Sequence, residues 1–246
     1  MYNNLAQYYD YIFPAGQNQL NFFKHMFAEH KINSVLDLAC GSGNYSLEFA
    51  RWGLDVVGVD FEEAMVRLAK QKAVNAGIEQ VNFLVGDMRD LSDLQQPFDA
   101  IICIGNSLVH LLTDDDLNKA LHEMNRLLKP NGLLILQILN YDYIIEKGIT
   151  TLPDITNQAA GLVFTRQYES RADGLIDFNT ALILNDGYKQ RSLDTGTVPL
   201  RPLRPQELEK FLLNNGFKAA NFYGDFKSTP LQIKNHMTLV ATTIKG

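Results

Sequence analysis

The segment Leu36-Asp37-Leu38-Ala39-Cys40-Gly41-Ser42-Gly43-Asn44 restricts what this chain can fold into more than any other. A short apolar run passes directly into a Gly-x-Gly turn and then into residues with helical spacing. Glycine permits the sharp turn and lets a ligand approach the backbone closely. In a doubly wound sheet such a loop lies at the carboxyl end of its strand, beside the point where the strand order reverses. Taken alone, the glycine pair is equally compatible with an ordinary tight turn.

The surrounding pattern selects between these. Residues 34–39, 54–60, 81–85, 98–104 and 133–139 read as strands. Helical spacing occupies 44–52 and 62–76, the latter stopping at Gly77, and a further helix is capped by Thr113 and runs to about residue 128, broken by Pro130-Asn131-Gly132. Strands separated by helices of this length predict βαβ units with right-handed crossovers and helices on both faces of a parallel sheet. Runs such as VVGV, AIICI and LLILQI suit strands buried on both sides. After Asn140 the pattern changes to polar–apolar alternation over 162–170, 175–185 and 188–198, punctuated by Asp173-Gly174 and Asp186-Gly187. These hairpin signals predict a three-stranded antiparallel sheet. A helix over 205–215 and strands over 217–223 and 236–244, with a loop at 225–235, complete the main sheet at seven strands.

Composition narrows the function. The 246 residues, 46% apolar, suffice for one full core plus a small added lobe. A net charge of −6 without any basic run argues against a nucleic-acid partner. The densest charge cluster, Asp114-Asp115-Asp116, reads as a helix N-terminus. No apolar run is long enough to span a bilayer. Residues 1–20 lack the basic and apolar regions of a signal peptide, and two cysteines fit a reducing compartment, so a cytoplasmic location is expected. Neither CxxC nor HExxH spacing occurs, and no metal is expected.

Two acids follow the glycine loop. Asp60 ends the next strand, nineteen residues after Gly41. An acid at that distance accepts hydrogen bonds from ribose hydroxyls, and Asp60 also reads as the cap of the helix beginning near Glu62. Asp87 ends the third strand, where a carboxylate could accept the exocyclic amine of adenine or cap its own loop. A GxGxxG register from Gly41 places Ser46 at the third small position, and no GxxxxGK[ST] phosphate loop is present.

These segments resemble the motifs of class I S-adenosylmethionine-dependent methyltransferases. VLDLACGSG is similar to the family's first motif, VVGVD to its ribose strand and VGDMRDL to its adenine strand. FDAIICIGNSLVHL resembles the fourth strand beside the reactive centre, and LLKPNGLLIL the approach to the fifth. GNSLVHL, NYDYI at 140–144 and GDFK at 224–227 resemble segments of glycine and sarcosine N-methyltransferases, which carry an antiparallel lid after the fifth strand. Leu139 departs from that pattern, which has a basic residue just before Asn-Tyr-Asp.

The resemblance implies a Rossmann-like methyltransferase domain over 1–140 and 204–246, with an antiparallel lid over 141–203. It implies S-adenosylmethionine as cofactor and a small-molecule methyl acceptor. The backbone at Ala39, Gly41 and Gly43 would face the cofactor's amino-acid end, with Asp37 orienting that loop or meeting the amino group through water. Asp60 would hold the ribose, Phe61 and Met88 would flank adenine, and Asp87 would bond its amine. For Phe61 and Met88, core packing is an equal reading. Ile104, Gly105 and Asn106 would lie near the sulfonium. Tyr9, within Tyr8-Tyr9-Asp10, is a catalytic candidate on an amino-terminal segment folded over the site, or else an aromatic anchor of a surface helix. His110 is a second candidate, or a structural histidine. Cys40 and Cys103 read as small buried hydrophobes. Arg166, Arg171, Arg191, Arg201 and Arg204 are candidates for an acidic substrate, or surface arginines.

No general base stands out, which favours an amine over a hydroxyl acceptor in an in-line displacement. Two other classes stay open: an NAD-dependent oxidoreductase on a similar sheet, against which Ser46 and Asp87 speak, and a non-catalytic cofactor-binding protein, against which the intact glycine loop and both acids speak.

Overall fold

A computed structural model describes residues 6–185 and 190–246. Seven strands form the main sheet: β1 (Ser34–Leu38), β2 (Asp55–Asp60), β3 (Val81–Val85), β4 (Phe98–Cys103), β5 (Leu128–Leu139), β10 (Asn221–Tyr223) and β11 (Thr238–Ile244). Their order is β10-β11-β5-β4-β1-β2-β3. The first five are parallel, and β11 runs antiparallel between β5 and β10. The order reverses between β1 and β4, so the loops after those two strands flank the switch point, where ligands of such sheets bind.

Alternation along the strands sorts the core into two layers. Leu36, Leu38, Ile101, Cys103, Leu134 and Leu136 pack with Leu121 and Met124 of α5 (Asp114–Leu127) and with Leu208 and Leu212 of α7 (Pro205–Asn214). Val35, Ala100, Ile102, Leu133 and Ile135 pack oppositely, against Phe22, Phe23, Met26 and Phe27 of α2 (Gln17–His30) and Phe49 of α3 (Asn44–Arg51). Helix α4 (Glu63–Ala76) adds Val66, Ala69 and Ala73 around Phe83 of β3. Thr113 caps α5 as its position predicts, its hydroxyl accepting from Asp116 N at 3.1 Å.

Three elements differ from the sequence expectation. Strand β5 begins at Leu128, so Pro130-Asn131-Gly132 lies within it and does not separate it from the helix. Leu128 is already extended and pairs with Phe98, and the left-handed Asn131 (φ 57°) lets the strand step past a bulge before regular pairing resumes at Leu133. The antiparallel sheet has four strands, not three, ordered β6 (Thr151–Asn157), β7 (Leu162–Ser170), β8 (Ile176–Asn185) and β9 (Gln190–Leu200). Edge strand β6 carries Pro153 at a register shift, which breaks the alternation that would have revealed it. The third correction is at 217–223, where only Asn221–Tyr223 is strand and Phe217 makes an isolated bridge to Lys245. The Asp173-Gly174 turn joins β7 to β8, with Gly174 at φ 83°. The Asp186-Gly187 signal lies outside the described residues.

Helices α2 and α6 (Tyr141–Glu146) had no sequence assignment, and α1 (Tyr9–Ile12) lies where a helix was one of two readings of the amino-terminal segment. Asn140 caps α6 and donates to Ile233 O and His236 O, both at 2.8 Å, which ties the start of the antiparallel region to the strand that follows it in the main sheet. Among the described residues no helix is long and apolar enough to cross a membrane, and no cluster of potential metal ligands occurs.

Candidate active site

The glycine loop leaves β1 through three left-handed residues, Ala39 (φ 56°), Gly41 (φ 55°) and Gly43 (φ 75°). Alanine at such an angle costs about 1–2 kcal/mol, a strain concentrated where the backbone must turn. Gly43 is demanded by packing as well, since a Cβ there would stand 2.5 Å from Phe83 Cζ.

Asp60, at the end of β2, accepts from Gly41 N (2.7 Å) through one carboxylate oxygen and from Glu62 N (2.9 Å) through the other. Asp60 thus meets the start of the helix near Glu62, as its cap reading expects, and it also holds the glycine loop, a role the sequence did not suggest. Each oxygen retains lone-pair capacity for another donor. Burial raises the Asp60 pKa, against the pull of those two amides.

Asp37 is buried beneath the loop and accepts from Ser46 Oγ at 2.5 Å. The serine that spoils a dinucleotide fingerprint thus satisfies the acid of the same motif. Burial pushes the Asp37 pKa up to about 7. The Ser46 hydrogen bond opposes that shift and the nearby Asp60 charge adds to it. An acid with a raised folded-state pKa lends stability that is complete below the unfolded value near 3.8 and is lost as pH rises through about 7. Wild type should therefore lose roughly 4 kcal/mol relative to Asp37→Asn between pH 4 and pH 8. Urea midpoints across that range test this, and a constant difference would show Asp37 ionised throughout.

The amino-terminal segment is fastened to the loop. Asp10 accepts from Ser42 Oγ and from Asn44 Nδ2 (2.9 Å), and its other oxygen pairs with Lys72 Nζ at 2.6 Å. Lys72 also donates to Asn44 Oδ1 at 2.5 Å, and Asn44 Nδ2 donates to Phe13 O at 2.8 Å. Tyr9 lies against Gly41, where an added Cβ would stand 3.0 Å from the phenol oxygen. Sequence reasoning singled out Tyr9 but missed Asp10 and Lys72, whose separation in the chain gives no local signal.

Beyond Asp60, Phe61 is 69% exposed and Val85 54%. Asp60 and Val85 are paired in register, so these two exposed apolar groups both lie at the carboxyl ends of adjacent strands. Phe61 is thus no core residue, while Met88 is partly buried against the core. Asp87 is engaged by Arg89: its oxygens accept from Arg89 N (2.9 Å), Nε (3.0 Å to each) and Nη2 (2.6 Å). This pairing holds the Asp87 carboxyl below its ordinary value. Arg89 also donates to Asp116 at 2.9 Å.

Across the switch point, Ile104 is half-buried and Gly105-Asn106 forms a left-handed turn stitched to β5. Gly105 N donates to Gln137 Oε1 (2.8 Å) and Asn106 N to Gln137 O (3.1 Å). The Asn106 side chain accepts from Leu139 N (2.9 Å) and donates to Tyr141 Oη (3.0 Å). Its polar atoms are committed to holding this loop against α6. His110 ends the 3-10 turn Leu108–His110, exposed on the same rim, and the desolvation it does experience favours its neutral form. Cys103 is buried with its pKa pushed up to about 12 and Cys40 is raised as well, so both thiols stay protonated.

Comparisons with known proteins agree with this architecture. A methyltransferase-domain family matches residues 35–132. The glycine/sarcosine N-methyltransferase of Aphanothece halophytica is 32% identical over 209 residues, covering 85% of this chain and 75% of that protein. An S-adenosylmethionine-dependent methyltransferase from Clostridium acetobutylicum superposes with a TM-score of 0.84 at 20% identity, covering 100% of this chain and 99% of the other. A structure of an S-adenosylmethionine-bound amino pentose methyltransferase from Micromonospora echinaspora gives 0.70 at 19% identity, over 93% and 90% of the chains. Sheet order, switch-point loops and antiparallel addition define the Rossmann-like methyltransferase fold. The chain belongs to the class I S-adenosylmethionine-dependent methyltransferases.

The residues present suit that cofactor. Exposed Phe61 and Val85 offer apolar surface for a purine, and Asp60 beside them has acceptor capacity for a diol. The left-handed loop meets the same carboxylate through Gly41 N.

Proposed function

We propose that this enzyme methylates the nitrogen of a small-molecule amine bound between the switch-point loops, the amino-terminal segment and the antiparallel lid. The observation that carries this reading is closure from both sides. Phe13 of the amino-terminal segment meets Phe164 of the lid with ring centres 5.5 Å apart, and on the other side Asn106 of the switch-point turn donates to Tyr141, which meets Tyr168 at 6.4 Å. A site bridged in this way suits a small acceptor better than a polymer. The names of the relatives, glycine/sarcosine N-methyltransferases, support nitrogen as the target.

S-adenosylmethionine, when bound, supplies a methyl group already activated on a sulfonium. What the protein must add is position and dryness, which together can lower a barrier by roughly 7–11 kcal/mol. Asp60 holds the ribose, and Phe61 and Met88 flank the adenine. Asp87 accepts the adenine amine by yielding one of its bonds to Arg89, which Asp116 retains. The backbone of Ala39, Gly41 and Gly43 meets the amino-acid end, with Asp37 beneath it. Ile104 and the Gly105-Asn106 turn border the reacting centre, and Asn106 positions that turn. Tyr9 covers the glycine loop from above. Neutral His110 on the rim accepts the proton that the amine must lose before attack.

Thermal unfolding with S-adenosylmethionine, S-adenosylhomocysteine and NAD, followed by mass detection of methylated amines and alcohols, tests this reading. A ligand at 100 times its Kd adds about 2.7 kcal/mol, a rise in Tm of about 5–11 °C for a chain of this size. We expect that rise with both adenosyl compounds and not with NAD, and methyl transfer to amines. Transfer confined to hydroxyl acceptors would overturn the amine assignment.

A further inference from the structure

Lys72 joins two segments that lie far apart in the chain. Its side chain is only 22% exposed, and its ammonium reaches Asp10 Oδ2 at 2.6 Å, Asn44 Oδ1 at 2.5 Å and Ser42 Oγ at 3.3 Å. An ammonium carries three donors, one for each of these groups. Asp10 belongs to α1, Ser42 to the glycine loop and Asn44 to the first position of α3. Asp10 in turn accepts from Ser42 Oγ and Asn44 Nδ2, and Ser42 is fully buried.

The opposite side of α1 is attached differently. Ile12 packs with Leu162, Phe164 and Leu182 of the lid, flanked by Tyr9 and Phe13, and Asn157 Nδ2 of β6 donates to Tyr11 O at 3.1 Å. Helix α1 is thus a bridge, with an apolar seat on the lid and a polar clasp on the glycine loop. The two joints fail differently. Water replaces the partners of a hydrogen-bonded charge, so parting the clasp has a small net cost. Parting the seat exposes aliphatic and aromatic surface, at a cost that grows with area. Asp10 is 38% exposed, so water already reaches the clasp. The joint that opens first is therefore the one at the glycine loop, where Tyr9 stands against Gly41.

We propose that Lys72 is a positioning residue for cofactor retention. Through Asp10 it holds α1 shut over the glycine loop, and bound S-adenosylhomocysteine leaves only after this clasp parts, with α1 still seated on the lid. This rests on the proposed placement of the cofactor's amino-acid end at that loop.

Surface plasmon resonance with S-adenosylhomocysteine over the immobilised protein tests it. Lys72→Met should speed dissociation by about 10- to 100-fold, as loss of one charge-assisted bond would, with the association rate changed by less than about threefold. Lys72→Arg should restore part of the retention. Asp10→Asn should speed release similarly, and the double variant no further, because both changes remove the same clasp. Raising salt from about 0.1 to 1 M shortens the Debye length from about 10 to 3 Å. It should hasten release from wild type and leave Lys72→Met unchanged. Arg67→Met, which removes an exposed pair with Glu63 on the same helix, is the control and should release as wild type does. A Lys72→Met dissociation rate within about twofold of wild type, the effect of an ordinary exposed pair, would overturn the proposal. So would slowed association and a lowered Tm in Lys72→Met and Lys72→Arg alike, the mark of a merely structural role. Should Lys72→Met fail to fold, Asp10→Asn carries the same expectation and the same refutation. If release is unchanged while Asp60→Ala weakens binding, the clasp alone falls. If Asp60→Ala also leaves binding intact, the placement of the cofactor falls with it.

Discussion

Asp60→Ala is expected to weaken S-adenosylhomocysteine binding by roughly 3–4 kcal/mol, about a hundred- to a thousandfold in Kd. The carboxylate stands at the junction of two tasks. It fastens the glycine loop through Gly41 N and the start of α4 through Glu62 N, and under the proposed function it also receives the ribose hydroxyls. Alanine removes all of these and leaves two backbone amides without their acceptor. Asp60→Asn separates the tasks. An amide keeps one acceptor oxygen for the loop, and it relieves the desolvated charge that raises the pKa of Asp60. Its NH2 faces the second backbone amide, so the Asn variant should be less stable than wild type but more stable than the Ala variant, and should bind the ligand at least about tenfold more weakly, the loss expected for one charge-assisted bond. Calorimetric titration with S-adenosylhomocysteine measures both, and a change below about fivefold in the Ala variant would remove Asp60 from the ribose site.

Gly43→Ala is expected to lower stability through backbone and packing together. Its φ of 75° is a left-handed angle, and the new methyl would meet Phe83 Cζ at 2.5 Å and Ala69 Cβ at 3.1 Å. Backbone strain of about 1–2 kcal/mol and overpacking of about 1–3 kcal/mol point to a total near 3 kcal/mol, or about 6–12 °C in Tm. Gly53→Ala is the control: φ is 84°, yet nothing lies within 4 Å of the added atom, so only the backbone cost should appear. Adding Phe83→Leu to Gly43→Ala should recover part of the packing loss. Equal Tm shifts for the two glycine variants would show that Phe83 yields freely and that packing does not dictate this glycine.

What could be read in the sequence was whatever is local. The passage from β1 through the glycine loop into α3 was legible because one strand, one turn and one helix follow each other without interruption. Thr113 announced its helix for the same reason, and Asp173-Gly174 its hairpin. Phe61 could not be decided from sequence, since an aromatic after a strand packs inward as readily as outward, and only the packing around it leaves it exposed. Asp10 and Lys72 are ordinary charges until the fold brings them together over Ser42 and Asn44. Arg89 takes hold of Asp87 from only two residues away, yet the same guanidinium also reaches Asp116 at the head of another helix. Strand β6 was missed because Pro153 and its register shift interrupt the alternation, and Asn106, though singled out, gave no sign of its bonds to Leu139 and Tyr141, which exist only once β5 and α6 are in place.

The placement of β11 also governs how this chain can be made. Until residues 238–244 have been synthesised, one edge of β5, the apolar run from Leu133 to Leu139, has no hydrogen-bonding neighbour, although the five parallel strands and the antiparallel sheet all lie earlier in the chain. A nascent chain stalled before that point would present a buried-type strand as an open edge, the kind of surface on which chains associate with one another. The last strand is therefore the one that ends the vulnerable period of synthesis.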